Sequence, residues 1–231
     1  MFAQPPAARA EGDQTWQACI STRTAPDDKV AACGTVIEIG CETGKNLAAA
    51  YCFRGHGLTE KREFDAALSD LNESIRLDPT SACALTNRGR VYAFKRDLDR
   101  AIADYDEAIR IDPAFALAYI NRGNAYRDSE QLDRAAADYG EVIKLAPADA
   151  RGWRNLGMIR LYHGDTEGGL ADYDKALQYD PADAYSWNNR GQARMRLGDK
   201  AGAIADFRKA LEISPGLRSA SESLQRLGAA Q

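Results

Sequence analysis

Few residues in this chain are suited to chemistry, and they are unevenly spread. Cys19, Cys33, Cys41 and Cys52 lie in the first quarter, Cys83 follows, and the remaining 148 residues have no cysteine; the only histidines are His56 and His163. Cysteines clustered in a short segment with little core of its own read as a disulfide staple. Cys52 and His56, four apart on one helical face with Cys41 and Cys83 as further donors, raise the question of zinc, but their spacing fits no usual ligand pattern. The sequence therefore predicts no metal and no cofactor. It also carries no phosphate loop, nucleophile elbow or zincin motif, so no enzymatic activity is expected.

Two further series recur at a fixed interval. Asn87, Asn121, Asn155 and Asn189 stand 34 residues apart. A carboxamide donates and accepts, so a ladder of them can hold the backbone of an extended segment whatever its side chains. Arg54, Arg88, Arg122 and Arg190 keep the same interval, with Leu156 at the fourth place, and so do Asp70, Asp104, Asp138, Asp172 and Asp206. Each arginine is expected to reach the aspartate sixteen residues on, as a partly buried ion pair.

The elements that position these residues follow the same period. Pro79, Pro113, Pro147, Pro181 and Pro215 mark five units of 34 residues. With the proline as position 32, position 8 is Gly55, Gly89, Gly123, Gly157 and Gly191, and position 20 is Ala67, Ala101, Ala135, Gly169 and Ala203. Small residues at both places let two helices approach. Bulky ones beside them, Tyr51, Leu85, Tyr119, Trp153 and Trp187 at position 4 and Leu71, Tyr105, Tyr139, Tyr173 and Phe207 at position 24, fill the remaining space. Apolar spacing of 3.6 predicts two helices per unit, for example near 82–95 and 98–111, and Asp97, Asp165 and Asp199 sit where the second helix needs an N-cap.

This pattern resembles the tetratricopeptide repeat, whose aromatic, Leu-Gly, Tyr, Ala, Phe and Pro signature it matches at most positions over residues 48–215. Arginine in place of leucine at position 7 is a departure. The resemblance implies an all-α fold, a right-handed α-solenoid superhelix of stacked helix-turn-helix repeats at 48–81, 82–115, 116–149, 150–183 and 184–215. Residues 217–227 then form a capping helix in a 216–231 tail. Gly168 and Gly169 together predict the softest joint in the fourth repeat.

Ahead of the repeats, residues 1–12 read as disordered and 13–47 as a helical hairpin around Ala25-Pro26-Asp27-Asp28. That turn sets Cys19 opposite Cys33, and a Cys41–Cys52 pair would leave Cys83 free. The hairpin resembles one preceding the repeats in some exported bacterial proteins of this kind. With the Pro- and Ala-rich start, this predicts a periplasmic or otherwise exported protein, a cytoplasmic one being the alternative.

Composition narrows the partners. A net charge of −4 argues against nucleic acid, and no apolar run is long enough to insert in a membrane. The resemblance implies that first helices line a concave groove that binds a protein or peptide. In the first helices of repeats two to five, eleven basic residues face one acidic, whereas the second helices carry seventeen acidic and eight basic. An acidic or carboxylate-ended segment is therefore expected, guided by Arg90, Arg127, Arg151, Arg154 and Arg196 and gripped by Asn87, Asn121, Asn155 and Asn189. Phe94, Phe115, Tyr162 and Tyr185 would supply apolar contact. The alternative is a self-association module that oligomerises through its ends or groove.

Overall fold

A computed structural model describes residues 14–40 and 42–229, and among them every regular element is an α-helix. The chain divides into two compact units after Ala125. The first contains α1 (14–20), α2 (Pro26–Ile39), α3 (Gly44–Glu60), α4 (Phe64–Leu77), α5 (Ala82–Phe94), α6 (Leu98–Ile111) and the first ten residues of α7 (Ala116–Asp128). The second contains the end of α7, α8 (Leu132–Leu145), α9 (Ala150–Tyr162), α10 (Thr166–Tyr179), α11 (Ala184–Arg196), α12 (Lys200–Ile213) and α13 (Arg218–Arg226). Within each unit, helices adjacent in sequence pack on one another, from α2 to α6 and from α8 to α13.

The helices start and stop where local chemistry dictates. Asp97, Asp165 and Asp199 each accept a backbone hydrogen bond, from Arg100, Gly168 and Gly202, at the N-terminus of α6, α10 and α12. Between first and second helices the chain turns through a left-handed residue, which is Arg62, Arg96 and Glu130 in the first three repeats and Gly164 and Gly198 in the last two. The first repeat departs from the rest: α3 begins at Gly44, one turn ahead of the expected Ala48, because no Pro-x-cap sequence stands before Ala48 to set the start there.

The small-against-large scheme is realised inside both units. A Cβ on Gly89 would lie 2.6 Å from Tyr105 Cε1 and 3.0 Å from the Ala101 carbonyl oxygen, so α5 and α6 meet where only glycine fits. Gly191 stands in the same relation to Phe207, at 2.7 Å. Leu71, Tyr105, Tyr139, Tyr173 and Phe207 are all buried, and they are the largest fully buried side chains among the described residues. In the second unit the indole N–H groups of Trp153 and Trp187 donate to the carbonyls of Pro147 and Pro181, at 2.8 and 2.9 Å. The repeat's proline and its aromatic thus satisfy each other. Gly168 and Gly169 do not interrupt α10. Gly168 lies in its first turn against the Asp165 cap, and a Cβ on Gly169 would sit 2.9 Å from the Gly157 carbonyl oxygen. The expected C-terminal cap is α13, whose Ala220 and Leu224, with Leu217 and Leu227 beside it, cover Ala203, Phe207 and Ala210.

At the other end, Cys19 and Cys33 form a disulfide that ties α1 to α2, the pairing the hairpin turn predicts. Trp16, Ile20, Val36 and Ala50 pack around it.

Candidate functional site

The arginine series comes first, because it fixes how the first helices sit. Arg54 donates Nε and Nη2 to the two carboxylate oxygens of Asp70, at 2.7 and 2.8 Å. Arg88 meets Asp104 the same way at 2.8 and 2.7 Å, and Arg190 meets Asp206 at 3.0 and 2.8 Å. These are two-pronged, charge-assisted pairs, and the aspartates are buried. The remaining nitrogen reaches back to the preceding repeat: Arg88 Nη1 to Asn72 Oδ1 at 2.8 Å, Arg122 Nη1 to Asp106 at 2.6 Å and Arg190 Nη1 to Asp174 at 2.7 Å. Arg88 and Arg190 therefore each staple two successive second helices.

The fourth repeat shows how the staple is replaced. Leu156 stands where the arginine would be, and Gly140 occupies the place of Asn72, Asp106 and Asp174, with open space around it. The buried Asp172 is instead met by Arg160, one turn later in α9, at 2.9 Å. Burial pushes this carboxyl up to about 6, against the pull of the Arg160 guanidinium. Loss of the arginine and loss of its backward acceptor occur together.

The expected binding residues fall into distinct surroundings. Asn87 is buried, with its amide nitrogen 3.3 Å from Cys52 Sγ and 3.6 Å from Cys83 Sγ. Asn155 is also buried, so neither opens to a ligand as a free rung. Asn121 is half-buried, and so is Asn189, which accepts from Asn188 at 3.1 Å. The basic residues are already matched by carboxylates. Arg90 pairs with Glu60, Arg127 with Asp128 at 2.8 Å, Arg151 with Asp149 at 2.6 Å and Arg154 with Asp183 at 3.0 Å, while Arg196 donates to the Leu161 carbonyl. Asp149 and Asp183 precede the first helices they cap, at position 34, so they belong to neither helix of the pattern that suggested free positive charge. Their signal was nevertheless present, as an aspartate one residue before α9 and α11.

The aromatics divide as well. Phe94 stacks on Phe64 at 5.7 Å under the Arg90 guanidinium, and Phe115 packs against Leu85, Ala108 and Ala118. Tyr162 and Tyr185 stand largely in solvent, at 74% and 61% exposure. In the second unit a cleft of about 620 Å³ brings Arg127 and Tyr162 together with Leu132, Met158, Ile159 and His163, Glu130 and Asp133 closing its acidic side. Tyr162 leans on His163 at 6.0 Å. Arg127 and Tyr162, both expected binding residues, thus share a cavity.

Cys41 lies outside the described residues, and with it the expected Cys41–Cys52 pairing. The described sulfur facing Cys52 is that of Cys83, 3.5 Å away, a residue the sequence reading left unpaired. Among the described residues, no three His, Cys, Asp or Glu side chains converge as metal ligands would.

Comparison with known proteins agrees with this geometry. Models described as "Tetratricopeptide repeat" and "TPR repeat" match residues 156–217, and 95–128 with 123–161, which together span just over half of the chain. The chain belongs to the tetratricopeptide repeat family. Among solved structures it is similar to PilF of Pseudomonas aeruginosa, with a TM-score of 0.78 at 15% identity over 95% of this chain and 99% of that one. It is also similar to YrrB, described as a TPR protein with an unusual peptide-binding site, with a TM-score of 0.61 at 21% identity over 85% of this chain and 99% of YrrB. A MamA fragment from Desulfovibrio magneticus RS-1 gives 0.62 at 24% identity over 74% and 96%. None of the curated proteins compared with the chain matches it in sequence. The fold is one that supports scaffolds for protein–protein interaction, and no helix of the described residues is long and apolar enough to cross a membrane.

Proposed function

We propose that this chain is a non-enzymatic scaffold that binds an extended acidic or carboxylate-bearing segment of a partner protein on the face made by its first helices. The observation that carries this reading is the cleft of the second unit, where exposed Tyr162 stands beside Arg127 above an apolar floor of Leu132, Met158 and Ile159. An apolar side chain of the ligand enters the cleft, and its carboxylate meets Arg127 in competition with Asp128. The peptide-binding site named for YrrB, a structural relative, favours the same use. Within the second unit, half-buried Asn189 would meet the ligand backbone, and exposed Tyr185 extends the aromatic surface. The Cys19–Cys33 disulfide supports an exported, oxidising location.

An array of acidic and carboxylate-ended peptides, read by fluorescence with wild-type protein, is expected to yield binders whose affinity falls at least tenfold on Tyr162→Ala and declines steadily with salt. Binding indifferent to ionic strength, or unchanged in both Tyr162→Ala and Arg127→Ala, would remove the reading. Self-association, the competing use of this surface, would appear as a concentration-dependent mass in light scattering that Tyr162→Ala lowers.

A further inference from the structure

The two thiols facing each other between α3 and α5 are a candidate for chemistry that the binding function does not use. Cys52 is buried in α3, and Cys83 is exposed in the first turn of α5, so they belong to the first helices of successive repeats. Cys52 Sγ donates to Cys83 Sγ across 3.5 Å, and the Asn87 amide, one turn beyond Cys83, is directed at both sulfurs. A disulfide needs about 2.05 Å between sulfurs, so the two sulfurs, already 3.5 Å apart, must come about 1.5 Å closer.

We propose that Cys52 and Cys83 are a dithiol that closes into a reversible disulfide between the first helices of the first two repeats, by exchange with an external disulfide. The direction of attack follows from their surroundings. The thiol of Cys83 is held below its ordinary range, chiefly by the hydrogen bond from Cys52, with Asn87 adding to it against the effect of burial. The Cys52 thiol is pushed well up by its bond to Cys83 and by burial. Exposed Cys83 is therefore the attacking group and buried Cys52 the resolving one.

The Cys83 thiolate attacks one sulfur of the external disulfide and expels the other as a thiolate, which takes up a proton equivalent to the one Cys83 lost. Cys52 then gives up its proton and attacks Cys83 Sγ in the mixed disulfide, expelling the second thiolate, which is protonated in turn. The protein loses two hydrogens and two electrons, and the external disulfide becomes two thiols. In the closed form Asn87 faces the two sulfurs of a disulfide in place of two thiols. The proposal does not rest on the binding function and stands or fails separately.

The full chain, equilibrated in reduced and oxidised glutathione, alkylated and digested with trypsin, tests it directly. Oxidised protein should yield residues 46–54 cross-linked to residues 77–88, and dithiothreitol should release them. The same cross-link should persist in Cys41→Ser. Cys52→Ser should accumulate glutathione on Cys83, while in the reduced wild type Cys83 is alkylated at least tenfold faster than Cys52. Circular dichroism on Cys52→Ser and on the exposed variant Cys83→Ser confirms that both are folded. Residues 30–45 hold both Cys33, joined to Cys19, and Cys41; recovery of residues 46–54 bound to this peptide in wild type but not in Cys41→Ser would overturn the proposal. So would two thiols at Cys52 and Cys83 that stay alkylatable in fully oxidised glutathione.

Discussion

The junction between the fourth and fifth repeats and the one between the third and fourth lie in the same compact unit and solve one problem differently. At the former, Arg190 bridges Asp206 in its own repeat and Asp174 in the preceding one, and Arg194 adds a second guanidinium 2.9 Å from Asp206. At the latter, Leu156 packs against the cluster of Ala135, Tyr139 and Ile159, Gly140 offers no acceptor, and Arg160 alone meets Asp172. The buried carboxylate at position 23 is thus the constant, and the source of its counter-charge is the variable. A buried carboxylate requires a cation nearby, while the route by which a guanidinium arrives is free to change.

Four measurements test that contrast. Asp206→Ala is expected to have the largest effect, since it strands Arg190, whose side chain is only 13% exposed, and Arg194 without their shared carboxylate. A loss of about 3 kcal/mol is expected, seen as faster amide exchange across α11 and α12. A change below about 1 kcal/mol would show that the staple is dispensable.

The second concerns pH. Because the folded carboxyl of Asp172 titrates at about 6 against 3.8 for a free group, folding favours its protonated form. The stabilisation is complete below the free value and is lost as pH rises through about 6, which gives about 1 kcal/mol between pH 5 and pH 7. The difference in melting temperature between those two pH values should be smaller in Asp172→Asn than in wild type. Identical shifts would place the titration elsewhere.

Third, Gly140→Ala should stabilise the second unit by about 0.5–1 kcal/mol, because a methyl group there meets nothing within 4 Å and alanine favours the helix. A loss of stability would mean that the glycine is required at the unstapled junction. Smallest is Asp174→Ala. Its side chain is 55% exposed, and removal should cost under about 1 kcal/mol in urea unfolding, since Arg190 keeps Asp206. A cost matching that of Asp206→Ala would make the backward arm of the staple the principal one.

Much of the architecture was legible in the linear text because each repeat states the same local rules. Glycine against alanine at positions 8 and 20, capping aspartates and the bulky residue at position 24 all appear in the structure where the period puts them. The Arg-to-Asp spacing of sixteen was also readable, and the pairs Arg54–Asp70, Arg88–Asp104 and Arg190–Asp206 are present. The candidate site was far less legible. A repeating asparagine looked like a rung open to ligand, yet Asn87 turns to two sulfurs and Asn155 is buried. An excess of arginine looked like free positive charge, yet Asp149 and Asp183 reach Arg151 and Arg154 from outside the helices counted.

By itself, then, the sequence determined the period, the helix pairs and the Cys19–Cys33 closure, because these depend on contacts within about one repeat length, where spacing along the chain dictates who can meet. The neighbours of Cys52, the partners of Arg90, Arg154 and Arg196 and the cleft holding Arg127 and Tyr162 were decided only when successive repeats packed together. Those contacts depend on rotamer and burial across two or more helices, and a one-dimensional pattern of residue types encodes neither.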